Sequence, residues 1–247
     1  MGRTMSTLRL NHIGAGTVLG TMLTALVLAG CNSSYNAPAV TPQDVTLKVT
    51  LQNLTTAQPF TPPLLVVGDA STVAWSEGQT ATVELEKLAE SGISDTLSAL
   101  LKTKGGNVQV VSTAPILWGA NASYTLSYPA DAARTLTVAT MLGNTNDAFT
   151  GITGLPVGQM AVGERIERRM PAWDAGTEAH TETKETIPGP ATQFKGEGFN
   201  PVRDDSVNIV HYHPGIVSAD DGLTTSILKA KHRFDNPVLL MTVERLK

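Results

Sequence analysis

Val45-Thr46-Leu47-Lys48-Val49-Thr50-Leu51-Gln52-Asn53-Leu54 alternates apolar and polar residues, with Val45, Leu47, Val49 and Leu51 on one side and Thr46, Lys48, Thr50 and Gln52 on the other. Successive side chains of a strand point to opposite faces, so this period of two predicts a half-buried strand. Working outward, the spacing predicts further strands over 80–85, 107–112, 122–128, 135–141, 163–169, 207–212 and 237–245. Gly, Pro and Asn punctuate the gaps between them, which suits an all-β sandwich of antiparallel sheets better than a βαβ alternation. One helical insertion is expected over 86–101, where Leu88, Ala89, Ile93, Leu97, Leu100 and Leu101 follow helical spacing. Gly92 weakens its middle, so two short helices flanking that glycine serve equally well, and Gly105-Gly106 stops the segment. Residues 171–206 combine charges, Pro and Gly with little apolar period, which predicts a long excursion of loops. Compact domains rarely carry loops of that length unless the loops have a function.

The composition narrows the possibilities further. Only 16% of the 247 residues are charged, below the roughly 25% of an average soluble domain, and the shortfall is filled by the Thr, Ala, Gly, Ser and Val of strands and turns. A net charge of -4 with no Lys/Arg block excludes broad electrostatic binding to nucleic acid, whose phosphates demand clustered cations. A single cysteine, Cys31, excludes an internal disulfide framework and a Cys-rich zinc site.

That cysteine sits at the end of an expected signal peptide, residues 1–30, which holds Arg3 and Arg9, no acid, and an apolar run from Ile13 to Gly30. Leu28-Ala29-Gly30-Cys31 resembles the lipobox of bacterial lipoproteins, which implies that Cys31 is lipidated and becomes the first residue. A transmembrane helix fits less well, because the run is of minimal length, holds four glycines and has no positive stop-transfer cluster after it. Residues 31–42, polar with two prolines, are expected to form a lipid-anchored tether, and residues 43–247 one domain. The expected location is the bacterial cell envelope, attached to the membrane through lipid at Cys31. Asn32, in place of the Asp that retains lipoproteins at the inner membrane, implies the outer membrane in a Gram-negative host.

Four further segments carry a family resemblance: Pro59-Phe60-Thr61-Pro62-Pro63-Leu64, Thr145-Asn146-Asp147-Ala148-Phe149-Thr150-Gly151, Asp174-Ala175-Gly176-Thr177-Glu178-Ala179, and Ile187-Pro188-Gly189-Pro190. In this order they resemble the spondin N-terminal (F-spondin) domain, over nearly the whole of residues 45–244. Gly143-Asn144 and Trp173 depart from its pattern, and the cysteines of the animal members are absent. The resemblance implies a C2-like β-sandwich that binds calcium in loops at one end and serves as an extracellular adhesion module.

Calcium takes about 6 to 8 oxygen ligands, so a site needs several carboxylates and irregular backbone that presents carbonyls. Asp147 lies beside Asn144 and Asn146, while Asp174 and Glu178 flank Ala175-Gly176-Thr177. These three acids are the expected calcium ligands, with Asp204 and Asp205 outside the set. The competing reading has Asp147 opening a turn and Asp174 capping a short helix, and both hold together if one oxygen caps and another binds. His211-Tyr212-His213 puts two imidazoles on one side of an extended segment, a spacing that chelates zinc or copper when further ligands join. Ordinary histidines at a strand end are the alternative, and no third His or Cys lies close by in sequence.

Ser, His and Asp are present, but no GxSxG elbow, P-loop or GxGxxG fingerprint accompanies them. The alternating charges of 164–169 read as a solvated strand face, and Pro59, Pro62 and Pro63, set among Phe60 and 64–67, as a buried connection rather than an exposed polyproline ligand. The leading expectation is a non-enzymatic, calcium-binding surface or adhesion module with a protein or glycan ligand. The alternatives are a periplasmic transition-metal-handling protein using His211 and His213, and a β-sandwich hydrolase.

Overall fold

The structure, a computed structural model, describes residues 43–130 and 133–247. Among the described residues ten strands are formed: β1 Asp44–Asn53, β2 Leu64–Gly68, β3 Val108–Val111, β4 Asn121–Pro129, β5 Thr135–Met141, β6 Ala148–Pro156, β7 Arg165–Met170, β8 Ala172–Asp174, β9 His211–Tyr212 and β10 Leu239–Arg245. Two helices, α1 Val83–Ser91 and α2 Asp95–Thr103, lie between β2 and β3. The strands make two antiparallel sheets, one of four in the order β4-β1-β10-β7 and one of six in the order β3-β2-β5-β6-β8-β9. The content is therefore mixed, two antiparallel sheets plus two helices, rather than all-β.

The apolar stripe of β1 is buried as its period requires: Val45, Leu47, Val49 and Leu51 join Leu126, Met241 and Val243 of their own sheet. Leu65, Val67, Leu136 and Val138 of the six-stranded sheet belong to the same cluster, so both sheets contribute one face to a shared core. Each such leucine or valine removed from water stabilises the fold by about 1.5 to 3 kcal/mol. The other face of the six-stranded sheet, Leu64, Val66, Ala139 and Phe149, is covered by Leu85, Leu88, Ala89, Leu97 and Leu101 of the helices.

Three departures from the sequence expectations have physical reasons. Residues 80–85 are not a strand: Thr82 accepts the Leu85 N–H at 3.3 Å as an N-cap, and α1 begins at Val83. The alternation Thr-Ala-Thr-Val-Glu-Leu only imitates a period of two across that cap. α1 ends where Gly92 adopts φ 71°, giving the two helices that the glycine allowed. The strand expected over 207–212 shrinks to His211–Tyr212, the rest being held in loop by contacts described below. Conversely, β2, β6 and β8 form where the sequence pattern predicts no strand. β2 is buried on both faces and so shows a continuous apolar run instead of alternation.

Pro59 and Pro63 are buried and Phe60 bridges to Ile116 and Leu142, as a rigid connection should. Arg165, Glu167, Arg168 and Arg169 are solvent-exposed on β7. The leader, Cys31 and the tether lie outside the described residues, and among those described no helix is long and apolar enough to cross a membrane.

Candidate metal centre

The site grows from one end of the six-stranded sheet, where β8 pairs with β6 on one side and β9 on the other. The register puts Asp174 opposite Ala148, next to Asp147, and opposite His211. Trp173 stacks on Tyr212 with ring centroids 4.6 Å apart, fixing that pairing. Beyond Asp174 the chain reverses: Asp174 Oδ1 accepts the Gly176 N–H at 2.7 Å, and Gly176 adopts φ 69°. A Cβ at Gly176 would lie 2.4 Å from the Val207 carbonyl oxygen and 2.5 Å from that of Ile209, so only glycine lets the turn pass so close to this segment. The reversal returns His180 to the acid it has just left.

His180 Nε2 lies 2.6 Å from Asp174 Oδ2, and His211 Nε2 lies 3.7 Å from Asp174 Oδ1. His211 Nδ1 is 3.0 Å from the Tyr212 carbonyl oxygen. That contact puts the proton of neutral His211 on Nδ1 and leaves the Nε2 lone pair directed at Asp174, the arrangement in which an outer partner orients a metal-binding imidazole. His213 stacks on His180 at 4.6 Å and 11°, and its Nδ1 accepts the Gly215 N–H at 2.9 Å. Neutral His213 thus carries its proton on Nε2, and burial pushes its pKa down to about 3. Among the described residues two groups have metal-ligand spacing, Asp174 with His180 and His213, and Asp174 with Asp205 and His211.

Behind this cluster stand more acids. Asp147 Oδ2 accepts from the N–H groups of Thr177 and Glu178, at 2.8 and 3.2 Å, and from the Thr177 hydroxyl at 3.2 Å. Its Oδ1 is buried with no hydrogen-bond partner. Glu178 Oε1 accepts from the Asn146 amide at 3.1 Å. Burial raises Asp147 to about 7, helped by the charge of Asp174, and raises Glu178 to about 8 and Glu182 to about 7. Burial also opposes charge on Asp174, but the His180 bond and charge and the Gly176 N–H outweigh it, and the pKa falls below the usual carboxylate value. His180 is held up at about 9: burial works against its charge, and the bond to Asp174 with the charges of Asp174, Asp147 and Glu182 prevails.

The fold thus gathers Asp147, Asp174 and Glu178 at one end of a sheet, and His211 and His213 come to the same place. No helix follows Asp174, whose carboxylate closes a turn rather than capping a helix. Asp205, expected to stand apart, belongs to one of the two groups, and Asp204 Oδ1 accepts the Ala179 N–H at 2.8 Å. His180 was missed. The signal was present two residues beyond Glu178, since an Asp and a His separated by a glycine turn can meet.

No protein-family model and no curated protein matches this chain. Its chemistry is therefore read from the cluster itself, a buried Asp/His group able to coordinate a metal ion. Three of the chain's five histidines surround one carboxylate. Mixed imidazole and carboxylate donors suit zinc and copper, whereas calcium prefers an all-oxygen shell.

Proposed function

We propose that this domain binds transition metal, zinc or copper(II), at Asp174, with His180 and His213 on one side of the carboxylate or His211 and Asp205 on the other as the further donors. The observation that carries the reading is the placement of imidazole nitrogens against both oxygens of the buried Asp174 carboxylate, at 2.6 and 3.7 Å. His213 is the weakest of the donors, because binding requires it to shed the Nε2 proton or give up its bond to Gly215. The role is metal handling rather than catalysis, on a domain spanning 43–247 that is held at the cell envelope by lipid at Cys31. We read the two sheets as the layers of a C2-like sandwich of the spondin N-terminal kind, with its loop-end ion site altered in donor type.

Calcium at Asp147, Asp174 and Glu178, with adhesion as the role, is supported less well. The Asn146 amide donates to Glu178, and the Asp147 oxygen nearest the turn is occupied by three donors. Titrating the chelator-treated protein with zinc, copper(II) and calcium in parallel separates the two. The expected result is saturable binding of zinc or copper(II) that His180→Ala weakens. A response to calcium alone, unaffected by His180→Ala, would reject the reading.

A further inference from the structure

We infer that Asp174 bridges two cations, one on its Oδ2 side with His180 and His213, the other on its Oδ1 side with His211 and Asp205. This inference rests on the transition-metal reading and extends it from one ion to a pair. The two groups of metal-ligand spacing share Asp174 alone, so a single ion does not satisfy both sets of donors at once. The carboxylate is sealed at 0% side-chain exposure, with His180 Nε2 against Oδ2 and His211 Nε2 against Oδ1, so its two oxygens face different imidazoles. Syn–syn use of both oxygens is how one carboxylate spans two ions about 3.5 to 4 Å apart, the spacing of paired metal sites.

The second triad is preorganised. His211 has its free nitrogen selected by the Tyr212 carbonyl, and Asp205 Oδ1 accepts the Val207 N–H at 3.2 Å, which orients that carboxylate. Charge favours two ions as well. Asp174 and Asp205 alone would leave a pair of divalent cations under-compensated, and Asp147 supplies a further buried carboxylate whose Oδ1 has no hydrogen-bond partner. That orphaned oxygen leaves Asp147, the residue next to the β6 partner of Asp174, an unused acceptor at this end of the sheet. The access route is also present: an open cavity of about 370 Å³ is lined by His180, Asp205, His211 and Pro214, and so reaches a donor of each triad.

The test is zinc stoichiometry on the full chain extracted in detergent, stripped with chelator, reloaded with zinc alone and weighed by native mass spectrometry. Two zinc ions per wild-type chain are expected, falling to one in His211→Ala and in Asp205→Asn, and to none in Asp174→Asn. His211 and Asp205 are partly exposed, so these variants keep the core intact. One zinc in the wild type, or two that survive both His211→Ala and Asp205→Asn, overturns the bridge while sparing the single-ion reading. No zinc overturns both. Copper(II) loading gives a check that needs no variant: a bridged pair shows an exchange-coupled electron paramagnetic resonance spectrum with a half-field line. A full signal from two uncoupled copper ions would overturn the bridge.

Discussion

A carboxylate at 0% exposure would ordinarily take up a proton, yet Asp174 stays charged because His180 and the Gly176 N–H compensate it. The converse holds for His180, whose charge at neutral pH depends on Asp174. Asp174→Asn is therefore expected to return the His180 pKa from about 9 toward its usual 6.5, followed by proton NMR of the ring in metal-free protein. The same substitution should lower zinc affinity by more than about 100-fold, beyond the roughly 10- to 100-fold loss expected for a residue that only orients a ligand. A His180 that still titrates near 9 in this variant would show that its charge is set by the surrounding acids instead. At this scale the site was half legible. His211 and His213 announced themselves because alternate strand residues share a face, and Asp147, Asp174 and Glu178 through a motif. His180 and Asp205 join them only because Gly176 turns the chain under 207–209, and a contact made by backbone reversal leaves no period in the sequence.

α1 presents Glu86 and Glu90, one helical turn apart and both buried, to the 200–208 loop. Glu86 Oε2 accepts from Arg203 Nη2 at 2.6 Å and Nε at 3.1 Å, while Arg203 also donates to the Ala81 carbonyl oxygen and to Asn208. Glu90 Oε2 accepts the Asn200 N–H at 2.8 Å. With few apolar anchors in 197–209, these polar ties position Asp205. Glu86→Ala leaves Arg203 without its partner in a site only 21% open to solvent, so the expected cost is about 2 to 3 kcal/mol, below the fully buried case. Hydrogen exchange should accelerate in 200–208 while β1 and β10 stay protected; uniform acceleration would mean that α1 rather than the loop had failed. Gly176→Ala should act on the same junction, since the added methyl meets two carbonyl oxygens at a positive φ, for about 2 to 3 kcal/mol in the urea midpoint. Elements with one face less buried, β1, β4 and β10, were readable from alternation, and β5, buried on both faces, because Thr135 and Thr137 alternate with Leu136 and Val138. β2 was hidden because burial on both faces erases the period, and α1 was half mistaken for a strand because its N-cap threonine sits in an alternating run.

Across the molecule, Asp147, Asp174, Glu178 and Glu182 are buried around one end of the six-stranded sheet, and this concentration makes stability depend on pH in a definite sense. Glu178, Glu182 and Asp147 have native pKa values of about 8, 7 and 7, against ordinary values of 4.5, 4.5 and 3.8. In the metal-free protein the native state therefore keeps protons that the unfolded chain releases. Stability from these groups is complete below their ordinary values and is lost as pH rises through the native ones. His180 has the same sign, losing its contribution between 6.5 and about 9. Asp174 and His213 have the opposite sign. The lowered Asp174 pKa contributes above 3.8 and is lost as pH falls below it. His213, lowered from 6.5 to about 3, contributes above 6.5 and is lost as pH falls toward 3, where the three raised acids outweigh it. The thermal midpoint in chelator should accordingly be highest near about pH 4 to 5 and decline steadily to pH 9. Saturating zinc reverses the argument, because the ion replaces protons as the compensating charge and binds only the native state, so the midpoint should rise most where the metal-free protein is weakest. A metal-free midpoint that is flat or climbing between pH 5 and 8 would mean that the buried acids are ionised in the native state, and that an ordering cation is not what the cluster lacks.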